Sequence, residues 1–254
     1  WILSMLKQKM VLYQHFLSQC ASYRRTGRLL DIGCGYGDFL KMAQEQDWAV
    51  WGIEPSWRAG EFVEKELGSR SRVLNETIES VEFPENHFDV ITLWNVIDCL
   101  PDPVETLKKV RRWLSPGGLL FIRTPNSFFH LAVYQLYSSL RPFLKKLGWE
   151  KEASVFLRAN FDAKTLSRLL ERTDFSTIQI RNGEPTQGDA YRVSSRSYLT
   201  VVAKKLIYGI SRLVGWLSGN RLLIGSTLTV HASKGAAPFP PLQPVAMQVR
   251  IVIK

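Results

Sequence analysis

Leu29-Leu30-Asp31-Ile32-Gly33-Cys34-Gly35-Tyr36-Gly37-Asp38-Phe39-Leu40 decides the fold of this chain. An apolar run ends in a loop with glycine at every second position, and helical periodicity starts again at Phe39. The stretch reads as a buried strand, a tight loop and the first turn of a helix. Glycine admits φ > 0 and lets a ligand touch the backbone. The amide N–H groups that open a helix face the same point and favour an anionic or strongly polar group. A strand–loop–helix at the start of an α/β sheet is the geometry of a nucleotide-type cofactor site.

The glycines stand at 33, 35 and 37, with one residue between each pair. The dinucleotide fingerprint is Gly-x-Gly-x-x-Gly, which is built around a pyrophosphate. Asp31, just ahead of the first glycine, would repel a pyrophosphate and welcome an ammonium group. S-adenosylmethionine (SAM) carries an ammonium and a carboxylate and no phosphate, so it suits this loop. Trp48-Ala49-Val50-Trp51-Gly52-Ile53-Glu54 is a second apolar strand, ending in a carboxylate. An acid about 20 residues beyond a glycine loop is placed to accept both ribose hydroxyls. NAD enzymes share that acid, so an NAD-dependent oxidoreductase stands as an alternative. The loop, Asp31 and Glu54 taken together favour SAM.

Outward from this motif, strand and helix patterns alternate. Strands are expected near 28–32, 49–53, 71–74, 88–93 and 118–124, with helices near 37–46, 57–67 and 103–114. That alternation predicts a parallel sheet with helices on both faces. Asp102 reads as the N-cap of the 103–114 helix, Pro103 suits its first position, and Glu105 can complete a capping box. Lys108, Lys109, Arg111 and Arg112 read as a solvated face that complements the helix dipole. Ser115-Pro116-Gly117-Gly118 is expected to stop the helix and turn into the fifth strand. Residues 2–22 read as an amphipathic helix without the order of a signal peptide. A helix capped by Asp162 and strands near 175–181 and 225–232 follow. His87, in the turn at the start of the fourth strand, is expected to face solvent.

The 254 residues suffice for one α/β domain with additions, and 33 basic against 23 acidic residues leave a net charge of +10. Such a balance fits an anionic partner or a solubilising surface. Cys20, Cys34 and Cys99 are widely spaced and lack metal-ligand or disulfide spacing, which implies a reducing, cytoplasmic setting and no metal. Cys34 reads as a packing residue. No apolar run approaches the roughly 20 residues that span a bilayer. The chain opens on Trp1 rather than Met, which leaves room for upstream residues.

From about Gly27 to Asn126 the chain resembles class I SAM-dependent methyltransferases. The blocks LLDIGCGYGDFL, WGIEPS, FPENHFDVITLWNVIDCLPDP and LSPGGLLFIRTPN occur in that family's order and spacing. The resemblance extends loosely to about Ala232. It implies a Rossmann-like sheet, mostly parallel, closed by a C-terminal antiparallel hairpin. It also implies that Asp31, Gly33, Cys34 and Gly35 line the methionine end of SAM and that Glu54 holds the ribose. Thr77 and Ile78 would lie beside the adenine, with Trp94 and Asn95 at the pocket floor. The domain plan is a helical cap (1–26), a SAM-binding domain (27–233) with a helical insertion near 184–222, and a flexible tail (234–254).

Methyl transfer from a sulfonium is an in-line displacement governed by alignment, and an oxygen or nitrogen acceptor can also need a base. Many relatives carry a His after the fourth strand, where this chain has none. Asp98 is the local candidate base, with capping or orienting the loop ahead of Asp102 as an equal alternative, and His130 is a second and weaker candidate, since a lone His near a helix start is more often structural. The missing Asn/Asp-Pro-Pro-Tyr/Phe motif makes nucleic acid an unlikely acceptor. Phe128, Phe129, Leu131, Tyr134, Leu136, Tyr137, Leu140 and Phe143, with the first helix and a 198–217 helix, are expected to form an apolar lid. The expected reaction is methylation of an oxygen on a small-molecule, lipid-linked or glycan acceptor; a non-catalytic SAM-binding protein is the alternative. The 198–217 helix sets an apolar face against Lys204, Lys205 and Arg212. It either packs on the domain or lies peripherally on an anionic membrane.

Overall fold

The computed structural model describes residues 2–23, 26–68, 71–146, 159–186 and 198–235. Part of the expected insertion (187–197), the expected tail from 236 on, and the side chains of Lys204 and Lys205 lie outside the described residues. Among the described residues seven strands form one sheet: β1 (Arg28–Ile32), β2 (Ala49–Ile53), β3 (Ser71–Leu74), β4 (Phe88–Trp94), β5 (Leu114–Pro125), β6 (Ser176–Asn182) and β7 (Thr227–Ser233). Their order is β3-β2-β1-β4-β5-β7-β6. β7 runs antiparallel to both β5 and β6, and the other neighbouring pairs are parallel. The fold is a Rossmann-like α/β sheet with a C-terminal antiparallel hairpin, as the sequence predicts.

The helices are α1 (Ile2–Tyr23), α2 (Asp38–Gln44), α3 (Trp57–Leu67), α4 (Pro103–Trp113), α5 (Ser127–Lys146), α6 (Ala163–Arg172) and α7 (Tyr198–Leu217). Successive strand side chains point to opposite faces, and here both faces are covered. Leu29, Val50, Val90 and Phe121 join one core with Phe16, Leu17 and Cys20 of α1 and Phe39 and Leu40 of α2. Leu30, Ile53, Ile91 and Ile122 join the other with Leu107, Val110 and Trp113 of α4 and Leu166 and Leu170 of α6. Burying one such side chain contributes about 1.5–3 kcal/mol. Phe16, Leu17 and Cys20, all buried, therefore bind α1 into the domain.

Some local expectations are corrected. Asp102 Oδ1 accepts from the amides of Val104 and Glu105, but Glu105 pairs with Lys108 Nζ at 2.7 Å and does not close a capping box. Lys109 is not part of a solvated face. Its Nζ donates to the carbonyls of Glu79 and Val81 and meets Glu82 at 3.0 Å, tying α4 to the loop after β3. β5 starts at Leu114 with no intervening turn, because Leu114 already pairs with Phe88; the Ser115–Gly118 stretch is absorbed as a register shift within the strand. His87 is half-buried against Trp51, Phe83 and Phe88, and its Nδ1 lies 3.3 Å from Arg28 Nη1. At α6, which precedes β6, Asp162 and Thr165 form a reciprocal capping box.

The chain runs from β1 out to β3, then crosses back to place β4 on the other side of β1. Ligands of open α/β sheets bind in the crevice at such a reversal, beyond the carboxyl ends of the strands. The glycine loop after β1 and the Trp94–Asn95 corner after β4 both fall there. Among the described residues no helix is long and apolar enough to cross a membrane.

Candidate active site

Gly33, Gly35 and Gly37 all have left-handed backbones, with φ of 73°, 55° and 76°. A Cβ on Gly33 would stand 2.5 Å from Val96 Cγ2, whereas one on Gly35 would meet nothing within 4 Å. Gly33 is thus enforced by packing beneath the loop, and Gly35 faces open space where a ligand can approach. The amides of Gly33 and Cys34 donate to the Ile53 carbonyl at 2.7 and 3.2 Å, which fastens the loop to the end of β2. Glu54 continues this junction: its Oε2 accepts from Gly35 N at 2.9 Å and its Oε1 from Ser56 N at 3.0 Å. A carboxylate offers about four acceptor sites, so Glu54 retains capacity for a pair of hydroxyls.

Asp31 is buried, 2% exposed, and accepts from Thr92 Oγ1 at 2.6 Å. Burial, and then the negative charge of Glu54, push its carboxyl up to about 8 against the opposing hydrogen bond from Thr92. A buried carboxyl in this condition suits a cationic group, which would favour its ionised form. Tyr13 of α1 packs on Phe39 at the start of α2 with ring centroids 5.2 Å apart, and burial, then Asp31 and Asp38, hold its phenol well above the ordinary range. Burial likewise raises the Cys34 thiol far above its usual value, so Cys34 packs rather than attacks. The donor set fits SAM: a buried acid for the ammonium, open backbone at Gly35, and a carboxylate for the ribose.

The remaining expected residues separate. Thr77 is exposed in the loop after β3, while Ile78 is 4% exposed and packs in the core with its side chain. Trp94 stands at the end of β4 among Tyr13, Phe16, Phe39 and Phe121, with ring centroids 4.5–5.7 Å away. Its buried Nε1 has no hydrogen-bond partner among the described residues. Asn95 is left-handed at φ 57°, and its Oδ1 accepts from Arg123 Nη1 at 2.7 Å.

Beside this aromatic wall lies a cavity of about 700 Å³ between α1, α7 and the β5–β7–β6 face of the sheet. His15 and Phe16 of α1 line it, with Trp94, Phe121, Arg123, Arg181, Thr229, His231, Glu184, and Tyr208, Arg212 and Trp216 of α7. Trp94 is the one expected site residue that borders it. Neither Asp98 nor His130 lines it. Asp98, 3% exposed, takes hydrogen bonds from Thr124 Oγ1 at 3.4 Å and Cys99 Sγ at 3.9 Å, and burial raises its carboxyl. His130 is buried in the first turn of α5. The expected lid is also corrected. No residue of α5 lines the cavity, and Phe128, Leu131, Tyr134, Leu136, Leu140 and Phe143 remain exposed. α1 and α7 form its walls.

Two histidines missed by the sequence reading do line the cavity. His15 Nε2 lies 2.7 Å from Gln19 Nε2, and burial lowers its pKa, opposed by Glu184. Burial, then Arg181 and His15, pull His231 down to about 3. The available signal was charge inside apolar strands: Arg123 follows Leu119-Leu120-Phe121-Ile122, and His231 follows Leu228-Thr229-Val230. Such residues are almost never fully buried without a specific reason. Among the described residues no three His, Cys, Asp or Glu side chains cluster as metal ligands would.

Residues 5–180 match a family model described as a methyltransferase domain. A methyltransferase of Schizosaccharomyces pombe is 33% identical over 118 residues, which cover 39% of this chain and 42% of that protein. The match therefore spans under half the length of the fission yeast relative. The demethylmenaquinone methyltransferase of Staphylococcus aureus is 30% identical over 173 residues, covering 63% of this chain and 72% of its own. An S-adenosylmethionine-dependent methyltransferase from Mesorhizobium loti shares the fold with a TM-score of 0.55 at 17% identity, over 82% of this chain and 91% of that one. Fold, crevice and family match agree, and the chain belongs to the class I methyltransferases, whose cofactor is S-adenosylmethionine.

Proposed function

We propose that the protein transfers a methyl group from SAM to an oxygen of a small-molecule, lipid-linked or glycan acceptor seated in the α1–α7 cavity. The observation that carries this reading is the position of Trp94. It ends β4 beside β1, which carries the glycine loop, and it also borders the cavity. SAM, when bound, supplies an electrophilic methyl on a sulfonium. Asp31 holds the ammonium, Gly33, Cys34 and Gly35 present backbone to the methionine end, and Glu54 takes the ribose hydroxyls. The backbone beside Thr77 and Ile78 borders the adenine, and Asn95 is fixed at the floor by Arg123. The name of the S. aureus relative supports an acceptor that joins a polar ring to an apolar chain.

His15 is the residue best placed to take the acceptor's proton, since Asp98 and His130 do not reach the cavity. Its lowered pKa leaves it neutral, and so able to accept, at pH 7. Incubation with methyl-labelled SAM and a lipid and metabolite extract tests both points. Label in an extractable product is expected, with a rate that falls as pH drops through the histidine range. His15→Gln should lower that rate about 10²-fold at unchanged SAM affinity. Absence of label from every fraction would leave a binding role; an unchanged rate in His15→Gln would remove His15 as the base.

The apolar sides of α5 and α7 support a further reading, peripheral contact with an anionic membrane at its inner face. Leu206, Ile210, Leu213 and Leu217 recur at helical spacing on α7, and all are exposed.

A further inference from the structure

We propose that the α1–α7 cavity binds an oxyanion of the acceptor, a carboxylate or a phosphate, on a row formed by Arg123, Thr229 and Arg181, with Arg212 of α7 facing it. This rests on the reading of the cavity as the acceptor site. The row follows from the strand register. Arg123 of β5 lies directly opposite Thr229 of β7, and Thr229 directly opposite Arg181 of β6. Directly paired residues share a face, and all three line the cavity. Neighbouring strands lie about 4.8 Å apart, so the two arginine backbones stand about 10 Å apart with a hydroxyl between them. Two guanidinium groups of that span can close on one anion over the Thr229 side chain.

The groups are built in rather than loosely displayed. Arg123 is 2% exposed; its Nη1 donates to Asn95 Oδ1 at 2.7 Å and its Nη2 to the Glu184 carbonyl at 2.8 Å, both neutral acceptors. Arg212 lies with its guanidinium carbon 5.8 Å from the Tyr208 ring centroid. The described residues that line the cavity include three arginines and a single carboxylate, Glu184. A guanidinium taken out of water needs charge or hydrogen bonds around it, and an anion in this cavity would add an opposite charge to those the protein supplies. Arg is also the side chain whose planar fork matches carboxylate and phosphate. The surrounding field is positive: Arg181 adds to the depression of His231 by burial. The aromatic walls at Phe16, Trp94 and Trp216 then suit an apolar body attached to the anion.

The test uses three probes of one shape: 2-naphthyl phosphate, 2-naphthoate and neutral 2-naphthol. Binding is followed by calorimetry and by the tryptophan fluorescence of the cavity wall. One of the anions should bind about tenfold or more tightly than naphthol, and whichever does so names the group. Arg181→Gln and Arg212→Gln should each erase most of that preference while SAM affinity stays at the wild-type value, which shows that the fold is retained. Equal binding of the three probes, or a preference untouched in both variants, would overturn the subsite. Anion preference without methyl transfer to any anionic acceptor would leave the subsite standing and sink the acceptor reading. Transfer to neutral acceptors with no anion preference would do the reverse.

Discussion

At the residue scale the decisive tension lies in Asp31. A carboxylate buried beside Glu54 is unfavourable in the ligand-free protein, and its folded value of about 8 lies above that of an unfolded aspartate. Its contribution to stability is therefore present at low pH and lost as pH rises from the ordinary carboxylate range through about 8. A cation beside it removes that loss. SAM should accordingly raise the melting temperature more at pH 8 than at pH 5. Asp31→Asn should stabilise the ligand-free protein at pH 8 and weaken SAM binding by at least about tenfold. Thermal melts and calorimetry check this, and an Asn variant that binds SAM like the wild type would remove Asp31 from the site. The glycine loop itself could be read from sequence because its strand, turn and helix are chain neighbours. Ile78 could not be placed in detail, because only the packed core shows that its side chain turns inward.

At the scale of the element, apolar periodicity located the helices and strands well but did not say what each apolar face meets. α5 and α7 have similar patterns. Only α7 reaches the cavity, through Tyr208, Arg212, Leu213 and Trp216. Ile210 is 57% exposed and Leu217 69%, and this outer side is the proposed membrane contact. An interfacial helix binds by buried apolar area together with attraction to anionic lipid. Sedimentation with phosphatidylglycerol vesicles should fall for Ile210→Ser/Leu217→Ser and for Lys204→Glu/Lys205→Glu. Neutral vesicles should bind less well than anionic ones. Equal sedimentation of wild type and both variants would dispose of the contact. Differences in β5 and α4 have the same origin: pairing of Leu114 with Phe88 and the reach of Lys109 to the loop after β3 are tertiary events that overrode local turn signals.

At the scale of the whole molecule, the buried histidine of the cavity makes stability depend on pH. His231 has a folded value of about 3, below that of an unfolded histidine. The unfolded chain takes up the proton first, so the contribution of His231 is complete above about pH 6.5 and declines as pH falls toward 3, by at most about 1.4 kcal/mol per pH unit. Urea unfolding at pH 7 and pH 5 should show a larger acid loss in the wild type than in His231→Gln. Identical losses would show that the imidazole is not held neutral.

The sequence by itself determined the sheet, its order of strands and helices, the cofactor loop and the acid that follows it. Those features depend on periodicity and on contacts between chain neighbours. The α1–α7 cavity was decided by tertiary structure alone. His15, Arg123, Arg181, Arg212 and His231 come from five separate elements and are brought together only when β7 inserts between β5 and β6 and the helices α1 and α7 close over that face. No local pattern encodes that meeting, because it is set by strand register and by which face of each helix finds the sheet.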